Sequence, residues 1–144
     1  MFNFIEYLSL MFLFYTDKIS GDTLFITGEE HIHCSTVLRK KPGDNIYVTD
    51  GNGYLYKAQI TAVTKVQTEC TILNTTYKTA LNPEVSIAIS PTKNSSRLEW
   101  FLEKSTEIGI SSIHLVLTKR TEKKTVNLQR IQKIVISAMK QSLH

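Results

Sequence analysis

Only two cysteines occur among the 144 residues, Cys34 and Cys70, and they form no CxxC pair. Both sit in apolar-leaning segments, which predicts buried free thiols in a reducing compartment and excludes a disulfide framework. No Walker loop, no GxGxxG fingerprint, no Ser-His-Asp arrangement and no zinc-ligand spacing is present. P-loop hydrolysis, Rossmann-type dinucleotide binding, triad hydrolysis and a structural zinc are thereby set aside. His31 and His33 are two apart, which on a helix turns them to different faces and disfavours shared ligation. Acidic residues are nearly missing from the C-terminal quarter: residues 118–144 hold seven Lys/Arg and one acid, Glu122. Residues 1–117 hold ten basic and twelve acidic residues, so the overall charge of +4 is a local property of the C-terminal end. A local basic surface suits phosphate; a solvated helix face plus loop is the plainer alternative.

Long hydrophobic runs are also lacking, with one exception. MFNFIEYLSLMFLFY is apolar at twelve of fifteen positions. It has no Lys or Arg before the run, Glu6 lies inside it, and no small-residue cleavage site follows. It is too short for a bilayer-spanning helix. Met11 opens a more regular segment, so residues 1–10 read as an upstream extension and Phe12–Tyr15 as a first strand. The expectation is a chain without a membrane span; a tethered interaction domain using residues 1–15 is the rival.

At 42% apolar content the chain can bury a core. Thr27 to Glu30 has the capping-box pattern and predicts a short helix over Glu29–Leu38, with Ile32, Val37 and Leu38 inward. A strand at Ile46–Val48 and the turn Asp50-Gly51-Asn52-Gly53 predict a hairpin into a long strand at Tyr54–Thr64. Another strand follows at Thr68–Leu73. Together these give a compact β-barrel-like domain over about residues 11–76. Asn74–Asn82 reads as irregular and Pro83 as the boundary to a second domain, residues 83–144.

That second part reads β-loop-α-β-loop-α. Val85, Ile87 and Ile89 alternate with small residues, as in a strand buried on both faces. Ser96 with Glu99 suggests a helix start, and Leu98, Phe101, Leu102, Ser105 and Ile108 an inward stripe. Trp100 beside it suits core or interface packing better than base stacking, which is the alternative. Gly109 ends the helix, Ile110–Leu117 is the next strand, and Asn127 caps a last helix with Leu128, Ile131, Ile134, Val135, Ala138 and Met139 on one side. The order predicts a parallel strand pair. Two such strands make a small sheet, so the domain reads as incomplete. Ligands of α/β sheets sit outside the carboxyl ends of strands. Both loops there are basic: Lys93 with Arg97, and Lys119-Arg120-Thr121-Glu122-Lys123-Lys124. Arg120 is the better anchor, being permanently charged and able to make bidentate contacts. Glu99, Glu103 and Glu107 recur every four residues and read as a polar helix face paired in part with Lys104. Arg39, Lys40 and Lys41 add a basic cluster on the first domain.

Taken in order, MFLFY, HIHCSTVLRKKPGDNIYVTDGNGYLYKAQI, PTKNSSRLEWFLEKSTEIGI, LTKRTEK and AMKQS resemble the bacterial 16S ribosomal RNA uridine-N3 methyltransferases, the ribosomal small-subunit methyltransferase E family. The resemblance runs from about Met11 to His144. It implies an α+β chain: a PUA-like RNA-binding barrel followed by the first βαβα part of a SPOUT (trefoil-knot) methyltransferase domain. It implies S-adenosylmethionine as methyl donor, bound by Gly-Pro-Glu-Gly-Gly type loops expected beyond residue 144. It also implies a cytoplasmic homodimer acting on 16S rRNA in the small ribosomal subunit. Carried over by motif, Arg120 takes the catalytic role, and Arg39, Lys93, Arg97, Lys124 and Gln141 face RNA, with Ser142 beside Gln141. A non-catalytic RNA-binding module is the alternative for this chain.

Overall fold

The computed structural model describes residues 12–78 and 84–142. The proposed extension at residues 1–10, the Met11 start and the Pro83 boundary lie outside them. The chain divides between Lys78 and Thr79 into two compact units.

In the first unit β1 (Leu13–Tyr15), β2 (Ile19–Ser20), β3 (Thr23–Thr27), β4 (Asn45–Thr49), β5 (Tyr54–Val63) and β6 (Gln67–Tyr77) form one sheet. Its order is β1-β4-β5-β6-β3-β2, with β1 parallel to β4 and the other pairs antiparallel. The β4–β5 turn forms as its residues dictate. The Asp50 carboxylate accepts from the Asn52 N–H at 2.8 Å, and Gly51 and Gly53 take the positive φ that the turn requires. Register shifts at Lys57/Ala58 and Ile60/Ala62 bend the long β5–β6 ribbon and increase its twist. β1 and β2, consecutive in sequence, lie at opposite ends of this order, so three residues join the sheet's two edges. Buried Thr16 sits at that seam. Its N–H donates to the Thr49 carbonyl at 3.0 Å, and its hydroxyl donates to the Phe25 carbonyl at 2.5 Å. The expected barrel is thus a curled six-stranded sheet.

Alternation fills its interior: Leu24 and Ile26 from β3, Ile46 and Val48 from β4, Tyr56, Ala58 and Ile60 from β5, Cys70 from β6, with Phe14 and Cys34. Each fully buried aliphatic side chain here stabilises the unit by roughly 1.5–3 kcal/mol. The two cysteines are free and buried, as expected.

Several local expectations fail for identifiable reasons. Residues 19–27, where the sequence shows Gly21 and Asp22 as turn formers and Thr27 as a cap, form β2 and β3, because β3 pairs with β6 forty or more residues away. β6 runs on to Tyr77, where Asn74–Tyr77 were read as irregular, because Tyr54 of β5 faces Tyr77 directly. Thr27 makes no side-chain cap to α1 (Gly28–Ile32). The Glu30 carboxylate instead accepts from the Tyr15 N–H at 3.2 Å, tying the helix to β1. The helix continues as a π-helical turn over His33–Val37, whose Leu38 N–H donates to the His33 carbonyl. The wider turn rotates the side chains out of α-phase. Ile32 and Val37 are exposed, His31 and Cys34 are buried, and only Leu38 of the expected stripe packs on the core.

The second unit contains β7 (Ser86–Ile89), α2 (Ser95–Glu107), β8 (Ser112–Leu115) and α3 (Leu128–Ser142). β7 and β8 pair in parallel, as the element order predicts, and are the two strands of this sheet among the described residues. β7 is not buried on both faces: Ile87 and Ile89 are half-buried while Ser86 and Ala88 are exposed. The cap of α2 is Asn94 rather than Ser96; its side-chain oxygen accepts from the Ser96 N–H at 2.9 Å. Leu98, Leu102 and Ser105 are buried, but Ile108 and Trp100 are 68% and 64% exposed, so neither enters the core. Gly109 (φ 81°) closes the helix: its N–H donates to the Thr106 carbonyl and that of Ile110 to Ser105, a Schellman ending. Asn127 caps α3 as predicted, accepting from the Arg130 N–H at 3.0 Å. Of its expected apolar side, Ala138 is buried and Leu128 is exposed. No described helix is long and apolar enough to cross a membrane.

Candidate nucleic-acid interface

The parallel pairing of β7 and β8 places the loops that follow them side by side. Two side-chain links join them, and a third ties the second loop to the first residue of α2. The Thr121 hydroxyl donates to Ser90 Oγ at 3.3 Å, and the Ser90 hydroxyl donates to the Val116 carbonyl at 2.9 Å. Lys123 Nζ donates to Ser95 Oγ at 2.5 Å. Lys93 Nζ lies 3.6 Å from the Glu122 carboxylate, both well exposed; such a pair is worth little in water. The hydroxyl links therefore hold the loops, and the ion pair accompanies them.

The expected residues fall as follows. Lys93 and Arg97 are exposed on the first loop and the first turn of α2; Arg120 and Lys124 are exposed on the second loop. Arg97, Lys119, Arg120 and Lys124 make no ion pair among the described residues. The structure thus brings Lys93, Arg97, Arg120 and Lys124 onto two joined loops. Gln141 is exposed in the last turn of α3. At 1.5 Å per residue it is about 20 Å along the axis from the capping Asn127, so the two loops do not gather it. Arg39 belongs to the first unit, where it follows the π-helical turn with φ 53°. The Lys40 N–H donates to the Cys34 carbonyl at 3.0 Å, so Arg39 occupies the left-handed closing position that Gly109 fills in α2.

The glutamates of α2 are structural. Glu99 accepts from Arg130 Nε and Nη2 at 2.6 and 2.8 Å, and this hydrogen-bonded guanidinium holds its carboxyl below the usual carboxylate range. Glu103 and Glu107 both accept from Lys104 Nζ, whose pKa they raise, Glu103 first. No cluster of three or more metal-binding side chains exists among the described residues. Sequence reasoning missed Thr121 and Ser90. The Thr118-x-x-Thr121 spacing, a hydroxyl placed to close a tight turn, was the available signal.

Two family models match the chain. One, described as an RNA methyltransferase PUA domain, covers residues 26–73. The other, described as an RNA methyltransferase domain, covers residues 80–144. The chain is similar to the ribosomal RNA small subunit methyltransferase E of Bacillus subtilis, 31% identical over 87 residues, covering 60% of this chain and 34% of the relative. Its fold is similar to a probable rRNA-methyltransferase from Porphyromonas gingivalis, with TM-score 0.82, 34% identity, and coverage of 91% of this chain and 55% of that one. It also resembles the ribosomal RNA small subunit methyltransferase E of Neisseria gonorrhoeae bound to S-adenosyl methionine, with TM-score 0.74, 30% identity, and coverage of 92% and 56%.

The curled sheet and the β-α-β-α unit with its two joined basic loops fall in the stretches that match RNA methyltransferase family models. The chain is thus similar to proteins named ribosomal RNA small subunit methyltransferase E. It spans about a third of the length of the Bacillus relative and a little over half that of the two structures.

The loop residues described here do not fit S-adenosylmethionine. Its sulfonium and ammonium outweigh its one carboxylate, leaving a net cation, and the loops with the first turn of α2 present six cations, Lys93, Arg97, Lys119, Arg120, Lys123 and Lys124. The nearby carboxylates are engaged: Glu122 faces Lys93 and Glu99 holds Arg130. The same charges suit a polyanion.

Proposed function

We propose that this chain supplies RNA recognition to S-adenosylmethionine-dependent methylation of a uridine N3 in 16S rRNA of the small ribosomal subunit. The observation that carries the reading is the joining of two basic carboxyl-end loops by Thr121–Ser90, with Lys123–Ser95 tying the second loop to α2. Lys93, Arg97 and Lys124 hold phosphates, Arg39 makes an RNA contact from the barrel, and Gln141 makes one from the far end of α3.

Uridine N3 becomes nucleophilic when its proton passes to solvent acting as base, and the charge then spreads to O2 and O4. A guanidinium cannot accept that proton. Arg120 instead stabilises the anion through charge-assisted N–H donation. No residue of this chain is assigned to the methyl donor, and the proposed homodimer belongs to the same reading. A second reading is favoured by the cationic loops: the chain alone binds RNA without transferring methyl groups.

The test incubates the 144-residue chain with small ribosomal subunits and tritiated S-adenosylmethionine, beside a titration of 16S rRNA fragments against salt. Binding that weakens steeply with salt supports the RNA reading. Label at a uridine N3 assigns the chemistry to this chain. Label absent, with salt-sensitive binding intact, selects the second reading. Binding that ignores salt refutes both.

A further inference from the structure

We propose that Thr121 is a positioning residue that sets Arg120 for RNA, through a hydroxyl lock reaching the end of β7. The inference rests on the proposed role of Arg120 at the target uridine, and takes the guanidinium that stabilises the uridine anion also to contact the bound RNA there.

Thr121 is 8% exposed, while Lys119, Arg120 and Glu122 around it lie open to solvent. A buried threonine inside a run of charged residues calls for a physical reason, and its hydrogen bonds give one. The Thr121 N–H donates to the Thr118 carbonyl at 3.1 Å. Its Oγ1 accepts from the Thr118 N–H at 2.8 Å and lies 3.0 Å from Thr118 Oγ1. The four-residue turn is therefore closed twice, by backbone and by side chain, with Lys119 and Arg120 at its two central positions. The remaining Thr121 donor reaches Ser90 Oγ at 3.3 Å. Ser90 in turn donates to the Val116 carbonyl, and the Val116 N–H donates to the Ile89 carbonyl just past the end of the strand pair.

The route from sheet to cation is continuous. The end of β7 holds Ser90, Ser90 holds Thr121, and Thr121 closes the turn that presents Arg120. A long, exposed arginine loses much side-chain entropy on binding. A turn with one closed geometry reduces the backbone share of that cost. Thr121 needs no contact with RNA to act in this way.

The test uses the full 144-residue chain and a 16S rRNA fragment, with Arg120→Ala, Thr121→Val, Thr121→Ser, Ser90→Ala and the Arg120→Ala/Thr121→Val pair. Valine keeps the shape and removes the hydroxyl; serine keeps the hydroxyl. Arg120→Ala is expected to weaken binding roughly tenfold, the scale of one charge-assisted contact. Thr121→Val follows it to within a factor of about three, Ser90→Ala goes part of the way, and Thr121→Ser stays near the parent. The double variant binds no worse than Arg120→Ala, since a lock has nothing left to position. In Thr121→Val the Thr118 amide loses its protection from hydrogen exchange while helix amides keep theirs. Additive losses in the double variant overturn the inference, as does a Thr118 amide still protected in Thr121→Val. Loss in Arg120→Ala without loss in Thr121→Val overturns the positioning role alone. No loss in Arg120→Ala overturns the RNA reading of Arg120 and this inference with it.

Discussion

Arg130 at the start of α3 grips Glu99 in α2 through two guanidinium nitrogens at 2.6 and 2.8 Å. The native Glu99 pKa lies below its ordinary 4.5 for that reason. A lowered carboxyl pKa adds stability that is complete above pH 4.5 and disappears as pH falls through the native value. Arg130→Ala should therefore lower the unfolding midpoint relative to the parent at pH 7, and by less as pH falls towards 3. Thermal melts across pH 3–7 check it; an equal decrement at both ends would sink the claim.

Arg39 occupies a backbone conformation that disfavours side chains by about 1–2 kcal/mol. Glycine relieves that strain and gives back part of the gain to unfolded-chain entropy. Arg39→Gly is expected to stabilise the protein by roughly 0.5–1 kcal/mol in urea denaturation and to weaken RNA binding. A destabilised variant would show that the side chain supports the fold.

Thr68 is fully buried and joins two groups: His31 Nδ1 at 2.9 Å and the Cys34 thiol. Thr68→Val keeps the volume and leaves both partners without it. A loss of about 1–3 kcal/mol is expected from chemical denaturation; a change below about 0.5 kcal/mol would mean that the partners find substitutes.

Burial pushes the Cys34 thiol up to about 11 and that of Cys70 up to about 12, from an ordinary 9.0. Raised native values mean that the contribution is complete below pH 9 and is lost as pH climbs through them. Between pH 9 and 11 each thiol should steepen the fall in stability by at most about 1.4 kcal/mol per pH unit. Cys34→Ala should make that slope shallower, whatever it does to stability at pH 7, and the same slope in both proteins would count against it.

What the sequence made legible was local. The 50–53 turn, the Gly109 stop and the Asn127 cap each depend on a few adjacent residues, and each appears as read. β3 was invisible because its partner β6 is remote in sequence. The Ile32 and Val37 stripe failed because a π-helical turn shifts phase without a sequence mark. At the interface, element order alone put the two basic loops together. The Thr118-x-x-Thr121 spacing marked a closed turn, but the reach from Thr121 to Ser90 depends on the pairing of two strands and leaves no local mark.

The seam at Thr16 also bears on self-association. An open sheet offers unpaired N–H and C=O groups to any neighbouring chain, the usual start of edge-to-edge aggregation. Here the edge strands are three and two residues long, and Thr16 occupies the step between them with bonds to Thr49 and Phe25. A second copy of the chain finds almost no ladder there to extend.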